Sequence, residues 1–113
     1  MASTGNHFHT VADAGALEGL FARSHEAPVL LFKHSNACPI SAAAYQQMSR
    51  VNGEVSIVVV QENRELSREI ESRTGVQHET PQALVLRNGR VVWNASHFDI
   101  TSDVVEQAVR ENV

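Results

Sequence analysis

Two apolar runs, Val29-Leu30-Leu31-Phe32 and Val55-Ser56-Ile57-Val58-Val59-Val60, constrain this chain more than any other feature. Neither alternates polar with apolar residues, so both faces of each strand need cover, as in a parallel sheet flanked by helices. Between the runs Ile40, Ala43, Ala44 and Met48 recur at helical spacing. They supply the crossover helix that two parallel strands require.

The flanking segments extend the same alternation. Residues 1–10 are mostly small, polar or histidine and read as a weakly ordered N-terminal lead-in from which Phe8 packs back onto the body. The domain proper is then residues 11–113, with a first helix from Val11 to about Ser24 whose stripe is Leu17, Leu20 and Phe21 and whose cap is Thr10 or Asp13. After the second apolar run, Asn63 caps a polar helix from Arg64 to about Thr74, buried through Leu66 and Ile70 and stopped by Gly75. Its charges Glu65, Arg68, Glu69 and Arg73 read as a solvated surface without a function. Ala83–Leu86 and Val91–Trp93 form two strands around Asn88-Gly89, a type I′ hairpin signal. Asp99 or Thr101 caps a last helix with Val104, Val105, Ala108 and Val109 on one face. The expected order is α-β-α-β-α-β-β-α, an α/β mixed sheet with helices on both faces in the thioredoxin-like arrangement.

Charge and hydropathy exclude several functions. The formal net charge is −4 and the nine Lys and Arg residues are scattered, so no nucleic-acid partner is expected. The apolar runs fall far short of the roughly 20 residues that span a bilayer, and Met1–Thr10 has no apolar signal region. No membrane partner and a cytoplasmic location follow as expectations. Six histidines show no ligand spacing beyond His7-Phe8-His9, so no metal site is expected either.

The chain has one cysteine, in Lys33-His34-Ser35-Asn36-Ala37-Cys38-Pro39-Ile40-Ser41. A lone cysteine is commonly a small buried hydrophobe, but this one lies where the first strand turns into a helix. Unpaired N–H groups and the positive end of the helix dipole favour the thiolate there. Pro39 suits the first helical position, where its missing N–H costs nothing. Ser41 takes the second place of a C-x-x-C spacing. A hydroxyl cannot attack a mixed disulfide, although it can donate a hydrogen bond to the Cys38 thiolate, so Cys38 and Ser41 are the catalytic candidates and any disulfide must join Cys38 to another molecule.

Thr80-Pro81 opens a sheet strand, which makes it either an ordinary loop entry or a tight turn with a cis bond. In the cis form Thr80 would face Cys38 and pair with an extended substrate. Pro39, Thr80, Pro81, His34 and His78 are the substrate-binding candidates, the two histidines as groups that stabilise a thiolate or meet carboxylates. Tyr45 and Trp93 read as packing residues.

Taken together, Lys33-His34-Ser35 leading into Cys38-Pro39-Ile40-Ser41, Val76-Gln77-His78-Glu79-Thr80-Pro81-Gln82-Ala83-Leu84, and Asn88-Gly89-Arg90-Val91-Val92-Trp93 followed by Ala95-Ser96-His97 resemble a YtxJ-type monothiol bacilliredoxin. The resemblance covers nearly the whole chain after the first ten residues. Ala37 departs from it, since a hydroxyl residue is expected there. The resemblance implies a thioredoxin-like protein with no tightly bound cofactor. It would remove bacillithiol, a low-molecular-weight thiol acting as co-substrate, from S-thiolated cytosolic proteins by taking it onto Cys38. A separate reductant would regenerate the thiol. Lys33, Asn36 and Gln82 would then be possible donors to the malate carboxylates of bacillithiol. Two other classes fit a lone cysteine in this fold: an iron–sulfur carrier dimer of the monothiol-glutaredoxin type, and a non-catalytic adaptor.

Overall fold

The computed structural model describes residues 7–113. Along the chain run β1 (Phe8–Thr10), α1 (Ala14–Arg23), β2 (Val29–His34), α2 (Pro39–Met48), β3 (Val55–Val59), α3 (Arg64–Thr74), β4 (Gln82–Arg87), β5 (Arg90–Ser96) and α4 (Ser102–Glu111). A single turn of 3-10 helix, His97–Asp99, joins β5 to α4.

The sheet order is β1-β3-β2-β4-β5. β2 pairs parallel with β3, as the two apolar runs require, and antiparallel with β4. Leu30 and Phe32 point to the α2 and α4 side, where they pack with Ala44, Met48, Val105 and Ala108. Leu31 points the other way, into a second cluster with Leu17, Leu20 and Phe21 of α1 and Leu66 and Ile70 of α3. Apolar burial on both faces of β2 stabilises the sheet by about 25 cal/mol per Å² removed from water.

The expected lead-in is corrected at its C-terminal end. Phe8–Thr10 form an edge strand, with Phe8 opposite Val55 and Thr10 opposite Ile57 in a parallel ladder. The Val11 amide continues it by donating to the Ile57 carbonyl at 2.9 Å, and the Phe8 ring stacks on Tyr45 at 4.6 Å. Order here comes from a partner far away in sequence, so three residues with no strand pattern of their own still form one. The element order is therefore β-α-β-α-β-α-β-β-α. The first six residues of the expected lead-in lie outside the described part of the chain.

Local signals set the remaining boundaries. Asp13, Asn63 and Thr101 cap α1, α3 and α4 through their side chains. Gly75 ends α3 in the left-handed conformation, at φ 73°. Asn88 and Gly89 both take positive φ, as a type I′ turn demands. Among the described residues no helix is long and apolar enough to cross a membrane.

Candidate functional site

Cys38 is the N-cap of α2, in extended backbone conformation, and Pro39 occupies the first helical position. The thiol makes no capping hydrogen bond and is partly exposed. The sulfur thus stands at the positive end of α2 with solvent access, a combination that a buried structural cysteine does not need.

Side chains from distant elements hold the loop that carries it. The Ser35 amide donates to Ser41 Oγ at 2.9 Å, the Asn36 amide to Gln61 Oε1 at 3.1 Å and the Ala37 amide to Ser35 Oγ at 3.3 Å. Gln61 Nε2 in turn donates to Ser35 Oγ at 2.6 Å. Ser41 is fully buried, and its hydroxyl also pairs with His34 Nδ1 at 2.8 Å. The expected hydrogen bond from Ser41 to the Cys38 thiolate is not formed among the described residues. Ser41 instead fastens the end of β2 to the first turn of α2, because a buried hydroxyl takes the nearest fixed partners.

His34 and His78 do not converge. The His34 ring lies buried under α2, 5.0 Å from Tyr45 and 5.6 Å from Phe32. It also lines a surface cleft of about 460 Å³ together with Asn36, Tyr45, Gln46 and Glu62. Burial also lowers its pKa from the ordinary 6.5, because a charged imidazole would lose hydration there. His78 is exposed in the loop before β4; its amide donates to Glu71 Oε2 at 2.9 Å, and its Nε2 pairs with Thr80 Oγ1 at 3.2 Å. Its pKa too is lowered, first by desolvation and then by the charge of Lys33, against Glu71 and Glu79.

The Thr80-Pro81 bond is cis. Lys33 pairs with Gln82 in the antiparallel ladder, so Pro81 enters the sheet opposite the end of β2 from which the Cys38 loop departs. The Pro81 carbonyl accepts from the His97 amide at 3.0 Å, and His97 Nε2 lies 3.3 Å from Glu79. The cis-proline loop is thereby held between α3 and the turn after β5. Pro39, Cys38, Thr80 and Pro81 all belong to this end of the sheet.

Lys33 and Gln82 are not free donors, contrary to expectation. Lys33 is fully buried and donates to Gln82 Oε1 at 2.9 Å, while Gln82 Nε2 donates to the Gln77 carbonyl at 3.0 Å. Desolvation pulls the Lys33 ammonium down to about 8, against the raising influence of Glu71 and Glu79. Asn36 stays exposed in the Cys38 loop. Gln61 was absent from the candidates, yet topology could have found it. In a parallel pair the C-terminal ends of neighbouring strands lie side by side, so the residues just after β3 flank the loop after β2.

Fold and site together define a thioredoxin-fold protein with one thiol at a helix N-terminus. Oxidised mitochondrial thioredoxin 3 of Saccharomyces cerevisiae shares the fold at a TM-score of 0.73 and 9% identity, with 96% of this chain and 99% of that one covered. Schistosoma mansoni thioredoxin shares it at 0.68 and 16%, covering 99% and 100%. A structure described as a candidate oxidoreductase with a thioredoxin fold is 33% identical at a TM-score of 0.85, covering 96% and 98%. The chain belongs to the family described as monothiol bacilliredoxin BrxC, whose family model matches residues 9–105. It is accordingly a thiol redox protein.

Two outcomes follow. Ser41→Ala leaves the Ser35 amide and His34 Nδ1 without their shared partner and is expected to cost about 1–3 kcal/mol in urea unfolding, with no loss if the hydroxyl is incidental. Because the folded state disfavours protonated His34, it binds fewer protons than the unfolded chain below the usual 6.5. Stability therefore falls as pH drops from there through the folded midpoint, and His34→Gln flattens part of that slope in unfolding curves taken across pH.

Proposed function

We propose that the protein is a cytoplasmic monothiol exchange enzyme that removes bacillithiol, or a similar low-molecular-weight thiol, from mixed disulfides on other proteins. The observation that carries this reading is the single partly exposed thiol at the N-cap of α2, with a buried serine in place of a second thiol. Membership of the monothiol bacilliredoxin family supports it.

The step is a sulfur exchange without net oxidation. The Cys38 thiolate attacks the small thiol's sulfur in a protein–S–S–thiol bond, and that bond breaks as the Cys38–S–S–thiol bond forms. The protein sulfur leaves as a thiolate and takes a proton from solvent. Ser41 has no sulfur with which to displace the adduct, so an outside thiol must attack it and return Cys38 to the reduced form. Extended substrate backbone beside Thr80 and Pro81 would align the scissile bond with Cys38. Ser41 acts in this scheme by fixing the Ser35–Cys38 loop, a positioning role.

Turnover of an S-bacillithiolated protein tests the scheme. Cys38→Ser is expected to abolish release of the protein thiol, whereas Ser41→Ala lowers it without abolishing it. Without an added reductant, release stops at one equivalent per Cys38. Equal loss in both variants, or release beyond one equivalent, contradicts the monothiol scheme.

A further inference from the structure

Lys33 breaks the rule that a charge inside a protein is paired with its opposite. Its side chain is fully buried, and among the described residues no carboxylate lies in ion-pair contact with it. The ammonium donates instead to a neutral amide, Gln82 Oε1, at 2.9 Å. A methionine would fill much the same space without desolvating a charge, so packing does not account for a lysine here. Exceptions of this kind concentrate where a fold serves a function.

An ammonium has donors only, so it can face Gln82 Oε1 and not Nε2. That fixes which way the amide lies, with Nε2 turned to the Gln77 carbonyl, to which it donates at 3.0 Å. Two hydrogen bonds in series thus tie the first residue of the loop 77–81 to β2 and to the start of β4. Glu71, Glu79 and His78 are the titratable groups around the ammonium. Both carboxylates attract it, and both also hold the loop, Glu71 through the His78 amide and Glu79 through His97. Thr80 stands apart inside this frame. It is half-buried, and neither its amide nor its carbonyl has a partner among the described residues.

We infer that Lys33 is a positioning residue for protein substrates: by orienting Gln82 it closes the loop 77–81 and presents the unpaired Thr80 backbone to the chain of the thiolated protein. The inference rests on the exchange reading above and adds to it the group that favours protein disulfides over small ones. An extended segment pairs through its main chain, so the shape of the loop is felt whatever the target's sequence. A small disulfide has no such chain and gains nothing from the loop.

Two disulfides that offer Cys38 the same sulfur test it: 2-mercaptoethanol in a mixed disulfide with a carrier protein, and bis(2-hydroxyethyl) disulfide. In Lys33→Met protein kcat/KM for the carrier disulfide is expected to fall about tenfold, the scale of one hydrogen bond, with the loss in KM. The small disulfide is expected to keep its rate within about twofold. Lys33→Met combined with Gln82→Leu separates position from stability, and it alone decides where the single variant does not fold. With both partners apolar neither is left unpaired, and urea unfolding returns toward that of the unsubstituted protein. The KM loss on the carrier disulfide persists, because the Gln77 carbonyl has lost its tie. A loss confined to the carrier disulfide supports the inference. An unchanged KM, an equal loss on both disulfides, or a KM that recovers with stability in the double variant overturns it. Unsubstituted protein that reacts with neither disulfide overturns the exchange reading instead, and this inference with it.

Discussion

The buried hydroxyl of Ser41 is the point on which the site depends. It accepts from the Ser35 amide and pairs with His34 Nδ1, so one oxygen joins the last residue of β2, the loop after it and the first turn of α2. Without that junction, little besides Gln61 would hold the loop, and the relation of Cys38 to the helix axis would be loose. A second thiol at this position would be free to react. A serine cannot form a disulfide but keeps the geometry, so in the proposed exchange regeneration comes from outside the chain.

The alternation of side chains at the end of β2 distributes the remaining roles. His34 goes under α2 and becomes part of the Ser41 junction. Lys33, its neighbour, goes to the α3 side, where it is locked to Gln82 at the start of β4. Burying an ammonium costs free energy that one neutral amide repays only in part, and the downward pull on Lys33 reflects this. The carboxylates of Glu71 and Glu79 offset some of that cost and connect β2 electrostatically to α3 and the cis-proline loop. One two-residue step in a strand thus sets up both a positioning network on one face of the sheet and a buried charge coupled to Glu71 and Glu79 on the other.

Much of this was legible in the sequence where burial is apolar and caps are local. The apolar runs, the caps at Asp13 and Asn63, the Gly75 stop, the Asn88-Gly89 turn and Pro39 at the start of α2 were all readable because each is specified within a few residues. What escaped is polar and long-range. β1 exists because β3 offers it an edge, and nothing in Phe8-His9-Thr10 announces that. Arg68, one of the α3 charges that read as solvated surface, also lines a cleft beside Arg64 and Ser67. Lys33 and Gln82 looked like ligand donors, since a sequence does not show that two polar side chains will satisfy each other inside the protein.

The central claim is that Cys38 accepts a small thiol and then waits for an outside one. Intact-mass spectrometry after stoichiometric mixing of the reduced protein with an S-bacillithiolated partner tests it most directly. The account predicts a gain of one bacillithiol residue, mapped to Cys38, together with a partner of unmodified mass. An unchanged mass, or covalent attachment of the whole partner protein in place of the small thiol, would contradict it.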